Sequence, residues 1–155
     1  MTNSRLALFA FGTLMDPDVL GIVARQDPAT LVREAASVAD HARRWVLDDH
    51  YPVLVPSPGQ HTVGLIIRGL QEQAMSRIEF FEGDEFTLRT LFVENAAGDR
   101  EEVCYFADNQ RQPISTEEWL LEQWQAATKA QTLPRVERYM RCYGKMTTTE
   151  ADAYW

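Results

Sequence analysis

The chain has 155 residues, 45% of them hydrophobic and 25% charged, which suits one globular domain with a proper core and is too few for two. A formal net charge of −8, with Arg and Lys scattered rather than striped, argues against a nucleic-acid partner, because such binding draws on cations that neutralise phosphates. Cys104 and Cys142 suggest no disulfide framework, and His41, His50 and His61 lie in separate segments without paired ligands, so no metal site is expected.

The apolar stretch at 6–11, LALFAF, is too short for a signal-peptide core or a membrane span, and the expectation is a soluble, cytoplasmic protein with no membrane partner. Residues 5–11 read as a first strand, nearly continuously apolar and therefore central. The strand runs out in Gly12-Thr13-Leu14, and Asp16-Pro17 follows at once as an N-cap and first helical position. Between the two elements the backbone N–H groups of residues 12–14 have no obvious ladder partner. Either the fold satisfies them or an anion does.

A helix is expected over 17–25, with Leu20, Val23 and Ala24 on one face. Residues 37–48 contain a second strand ending around Asp48-Asp49. The stretch YPVLVPSPGQH at 51–61 holds three prolines and a glycine, and reads as an irregular edge segment and turn. TVGLIIRGL at 62–70 is a strong strand, 71–82 a helix, and 86–108 a hairpin turning near Gly98-Asp99.

The C-terminal part changes character. Ser115 and Glu118 form a capping-box pattern ahead of WLLEQWQAATKA. Pro134 marks the first turn of another helix, which carries Val136, Tyr139, Met140 and Tyr143 at helical spacing and stops at Gly144. Those aromatics are most simply core packing, with a partner surface as the other reading. Strands thus dominate the first two-thirds and helices the end, the pattern of a mixed sheet or small barrel with helices packed outside rather than a doubly wound sheet.

The helix at 71–82 holds the most informative residue. At about 100° per residue, Ala74, Met75, Ile78 and Phe81 share one face, and Glu82 falls about 40° from Ile78 on that same face. A carboxylate so placed is partly desolvated, which raises its pKa and makes it a better proton acceptor near neutral pH. The alternatives are a frayed helix end that lets Glu82 swing into water, or an ion pair with Arg89.

FAFGTLM near the N-terminus and IEFFEGDEFTLRTLFV in mid-chain resemble the γ-glutamylcyclotransferase-like superfamily, in particular its AIG2-like branch. Tyr51-Pro52 through Pro56 and Val63-Gly64-Leu65 match two further motifs of that group, in order and spacing, across residues 6–106. The resemblance implies an α/β (α+β) fold, a small mixed β-barrel with surrounding helices. It implies one domain over 1–155, with 115–155 a helical C-terminal extension in the less constant part of such proteins.

It also implies a reaction that splits a γ-glutamyl compound into 5-oxoproline and a free amine or amino acid, without a cofactor. Carried over residue by residue, Phe11, Gly12, Thr13 and Leu14 form the substrate-binding loop and Glu82 is the catalytic acid/base. The free N–H groups would then hold the α-carboxylate of a small γ-glutamyl substrate. Two positions depart from the pattern: Phe11 and Phe86 stand where the family has tyrosines, keeping the ring and losing the hydroxyl. Tyr105 matches a later tyrosine and supplies a hydroxyl nearby, or is a core residue. The departures also keep open a binding module that holds a small carboxylate without turnover.

Overall fold

The computed structural model describes residues 6–47, 49, 51–109 and 113–155. Its strands are β1 (Leu8–Ala10), β2 (Val32–Val46), β3 (Pro52–Arg68), β4 (Phe86–Glu94), β5 (Arg100–Asp108) and β6 (Ile114–Glu118). Its helices are α1 (Pro17–Ala24), α2 (Glu72–Glu82), α3 (Leu121–Ala127), α4 (Lys129–Met140) and α5 (Thr148–Ala151).

Five strands close on themselves. β3 pairs with β1, β1 with β5, β5 with β4, β4 with β2, and β2 again with β3. The β1–β5 pair is parallel and the others antiparallel. Alternation along each strand then divides the apolar residues between two cores. Phe9, Val38, Leu54, Ile66, Val93 and Val103, drawn from all five strands, fill the barrel. Leu8, Ala10, Ile67, Cys104 and Phe106 point outward and meet Val19, Val23, Met75, Ile78, Trp124, Val136 and Tyr139 from the helices. The expected fold, a small mixed barrel with helices outside, is the one found.

Several boundaries differ from expectation, each for a physical reason. β2 begins at Val32 rather than 37, because its charged, alanine-rich start pairs with β3 and Glu34 bridges Arg68 at 2.9 Å. The irregular segment expected at 51–61 is instead the first half of β3. Its prolines are tolerated because this half has β2 as its recorded neighbour, while β1 pairs only with 65–67. The irregularity survives as a bulge: the register shifts between Ala39 and His41, where Gly59 N–H donates to the Asp40 carboxylate.

The Ser115/Glu118 pattern is a strand and not a capping box. Ser115 Oγ accepts from Glu117 N–H, and β6 pairs with the end of β2. The C-terminal region is therefore not wholly helical. Pro134 lies inside α4, which starts five residues earlier at Lys129. The aromatic spacing there is core packing, with Val136, Tyr139 and Met140 buried, and Gly144 takes a positive φ of 80° beyond the helix. Arg5, Asp48 and His50, on which expectations also fell, lie outside the described residues. Among the described residues no helix is long and apolar enough to cross a membrane.

Candidate active site

The chain leaves β1 through Phe11 and Gly12, makes one 3-10 turn over Thr13–Met15, and enters α1 at Asp16. Gly12 has a negative φ of −123°, so it is not a left-handed backbone that calls for glycine here. Space does: a Cβ there would stand 3.1 Å from Pro52 Cγ. Gly64 answers to the same demand, since its Cβ would stand 2.5 Å from the Ala10 carbonyl oxygen. Two glycines and a proline from three separate motifs thus pack around the end of β1.

The turn is closed by Met15 N–H to Gly12 O and Asp16 N–H to Thr13 O. Among the described residues the N–H groups of Gly12, Thr13 and Leu14 have no acceptor. Asp16, fully buried, caps α1 through the N–H groups of Asp18 and Val19. It also accepts from Gln125 and pairs with Lys129 Nζ, both at 2.9 Å, so the loop's exit is tied to α3 and α4. Burial alone would raise the Asp16 pKa, but the bonds from Gln125, Lys129 and Val19 outweigh it and hold the carboxyl below its ordinary value.

Behind the loop sits a buried cation. Arg43 Nη1 donates to Phe11 O at 3.0 Å and to Val63 O at 2.9 Å, its guanidinium lies over the Trp119 ring, and Glu118 stands 3.6 Å away. Burial pulls the Arg43 pKa down and Glu118 pulls it back up. Its Nε is buried with no partner among the described residues. Nothing in the sequence separates it from Arg44, whose guanidinium goes instead to exposed Gln60.

α2 delivers Glu82 as its last residue, and Gly83 at φ 74° turns the chain away. A cavity of about 40 Å³ is lined by Glu82 together with Gly12, Thr13, Leu14, Tyr51, Pro52, Phe86 and Phe106. Burial pushes the Glu82 carboxyl up to about 8. Among the described residues nothing hydrogen-bonds or ion-pairs with it, so the Arg89 pair is not found; the residue as a whole is half-buried. On its other side Glu82 borders a wider hollow of about 370 Å³, whose walls include Tyr51, Asp84, Glu85, Phe86, Tyr139, Asp152 and Trp155. Burial, then the charges of Asp152, Glu85 and Asp84, raise the Tyr139 phenol above its ordinary pKa.

Of the residues singled out from the sequence, Gly12, Thr13, Leu14, Phe11 and Glu82 line one cavity. Phe11 does so with its ring packed into the barrel core. Tyr105 is not brought there. Alternation turns it toward the barrel interior, where its ring meets Phe11 edge-on at 6.5 Å, while its neighbour Phe106 faces the cavity. Sequence reasoning did not single out Tyr51 and Pro52, although their motif was visible; Tyr51 packs edge-on against Phe86 with ring centres 5.8 Å apart.

Comparison with known proteins identifies the family and the fold. AIG2-like protein A of Arabidopsis thaliana is 23% identical over 140 residues, which cover 89% of this chain and 83% of the relative. A solution structure of an Arabidopsis thaliana protein superposes with a TM-score of 0.64 at 19% identity, covering 93% of this chain and 86% of the other. A structure titled gamma-glutamyl cyclotransferase gives a TM-score of 0.57 at 9% identity, over 96% and 85% of the two chains, which shows a shared fold. The family model described as "Gamma-glutamyl cyclotransferase, AIG2-like" matches residues 8–126, and the chain belongs to that family.

Proposed function

We propose that the chain cyclises the γ-glutamyl group of a small substrate to 5-oxoproline and releases an amine or amino acid, with Glu82 as general acid/base. One observation carries the reading: a desolvated carboxyl without a partner shares a cavity with three backbone N–H groups that have no acceptor among the described residues. The N–H groups of Gly12, Thr13 and Leu14 hold the substrate's α-carboxylate, as loop amides beside a helix start do for anions.

The substrate supplies its own nucleophile. Glu82, ionised, takes a proton from the α-ammonium; the freed amine attacks the γ-carbonyl carbon, and a ring C–N bond forms. The bond from that carbon to the leaving nitrogen then breaks as Glu82 returns the first proton to it. The ring nitrogen sheds its second proton, which the released amine takes up to depart as an ammonium, and Glu82 is again ionised. A pKa of about 8 lets one carboxyl perform both transfers near neutral pH. Because ring closure is intramolecular, orientation alone contributes effective molarities on the order of 10⁵ M or more. The steps need no group beyond these, and the reading is of a cofactor-independent enzyme.

The leaving group exits into the wider hollow beyond Glu82. Asp84, Glu85 and Asp152 on its walls make it a better home for an amine than for a second carboxylate. The partner is a small γ-glutamyl compound and not a nucleic acid, and the setting cytoplasmic, in keeping with two buried cysteines, Cys104 and Cys142, that form no disulfide among the described residues. The test is 5-oxoproline release from a panel of γ-glutamyl amines and γ-glutamyl amino acids. Release from at least one amine, abolished in Glu82→Gln, is the expected result. Binding of 5-oxoproline at the loop without turnover of any compound would overturn the enzyme reading in favour of a carboxylate-binding module, which the missing hydroxyls of Phe11 and Phe86 would then explain.

A further inference from the structure

Arg43 does not line the Glu82 cavity, yet it grips the peptide that begins the anion-holding loop. Its Nη1 donates to the carbonyl of Phe11, and that carbonyl belongs to the same peptide unit as the Gly12 N–H. The unit is trans, so its C=O and N–H point to opposite sides of one plane. A cation fixed on the oxygen side therefore turns the Gly12 N–H away from itself, and Gly12 lines the cavity. Donation by a cation also polarises the peptide, which makes its N–H a stronger donor.

The cation is anchored from three directions. Val63 O accepts a second bond from the same nitrogen, Trp119 lies under the guanidinium, and Glu118 faces it at 3.6 Å from a half-exposed position. Burying a guanidinium whose Nε finds no partner among the described residues is costly, and a carbonyl at that strand end would be satisfied more cheaply by a neutral donor. The charge itself has a use if an anion sits on the far side of the peptide.

We propose that Arg43 is a positioning residue that sets the affinity of the Gly12–Leu14 amides for the substrate carboxylate, acting through the Phe11–Gly12 peptide, with Glu118 as the counter-charge that moderates it. This rests on the cyclotransferase reading for its substrate, but binding tests it separately.

The experiment compares wild type, Arg43→Lys, Arg43→Met and Glu118→Gln. It reads KM and kcat for 5-oxoproline release, the pH profile of kcat, and 5-oxoproline affinity from amide chemical-shift changes at residues 12–14. Arg43→Met is expected to raise KM and weaken 5-oxoproline roughly 10–100-fold, the span of one charge-assisted hydrogen bond. Its kcat pH profile should keep its midpoint, because Glu82 is untouched. Arg43→Lys should recover part of the affinity. Glu118→Gln, at an exposed site that leaves the fold alone, should tighten binding a few-fold at low salt. If Arg43→Met does not fold, Glu118→Gln and Arg43→Lys decide.

Folded variants whose KM and 5-oxoproline affinity match wild type overturn the proposal, as does a shift in the pH midpoint with KM unchanged. A wild type that binds 5-oxoproline without turning over any compound overturns the cyclotransferase reading alone, and the affinities still judge Arg43. A wild type that neither turns over nor binds overturns both.

Discussion

The hydroxyl of Tyr139 donates a 2.7 Å hydrogen bond to the carbonyl of Phe80, two residues ahead of Glu82 in the last turn of α2. That carbonyl is one of the acceptors a helix C-terminus leaves without an internal partner. α4 therefore holds the end of the helix that carries the candidate acid/base. Tyr139→Phe removes the bond and keeps the ring, which packs on Phe80 at 5.0 Å. The expected stability loss is about 1 kcal/mol by urea unfolding. Turnover should fall by less than the roughly 10²–10⁴-fold of a lost acid/base, because Glu82 is loosened and not removed. Unchanged turnover would detach α4 from the site.

Glu82→Gln keeps the shape and removes the proton acceptor. Turnover should fall roughly 10²–10⁴-fold while 5-oxoproline binding holds, since the amides proposed to hold it come from another segment. Stability supplies an independent readout with a definite sign. Burial raises the folded carboxyl to about 8 from an ordinary 4.5. Below about pH 4.5 both states are protonated and the group costs nothing. As pH rises toward 8 the unfolded chain gives up its proton first, so wild-type stability falls across that window and levels off above it. Urea midpoints at pH 5 and pH 8 should show this decline in wild type and a smaller one in Glu82→Gln. Equal declines would place the Glu82 carboxyl in water.

Gly12→Ala tests the close approach of Pro52. The new methyl would stand 3.1 Å from Pro52 Cγ and 3.3 Å from Cδ, so the ring must retreat by a few tenths of an ångström. The crowding should cost roughly 1 kcal/mol. The larger effect should be a raised KM, because the methyl enters the wall of a cavity of only about 40 Å³. Adding Pro52→Ala should recover stability, and a double-mutant cycle with a coupling near zero would show that the two do not touch.

Asp16→Ala removes a helix cap, a bond from Gln125 and a pair with Lys129 in one step. The expected loss is roughly 2–4 kcal/mol. The pH dependence has the opposite sign to that of Glu82. A folded pKa held below 3.8 gives stability that is full above that value and lost as pH falls through the lowered folded value. Acid unfolding of wild type below pH 4 should therefore be steeper than that of Asp16→Asn, which keeps the cap geometry and cannot ionise.

How far the sequence foretold this molecule depended on where its signals were local. Gly98-Asp99 turned the β4–β5 hairpin as read, because Asn95 and a positive φ at Gly98 are chemistry of the turn itself. Glu82 could be found because helical periodicity puts it beside Ile78, and burial is what periodicity reports. Ser115 and Glu118 misled because the same residues that cap a helix also suit an exposed edge strand, and pairing with β2 decided between them. Arg43 was invisible for a related reason: its value lies in Phe11 and Val63, which only barrel closure brings to it. Of the two readings of Tyr105, the core one holds, because alternation turns it into the barrel and sends Phe106 to the cavity instead.

β1 is three residues long, yet it lies between β3 and β5 and completes the barrel, meeting Cys104 in parallel register from the far side of the chain sequence. Closing so distant a pair is entropically slow, so this strand has reason to dock after the β2–β3 and β4–β5 hairpins have formed locally. The amides of residues 12–14 hang directly from it. During refolding the loop over 12–14 is then expected among the last features to form, and regain of 5-oxoproline binding, if the proposed site is right, should follow the final kinetic phase. In the native protein, exchange at the β1 amides reports opening of the whole barrel and not fraying of a surface loop.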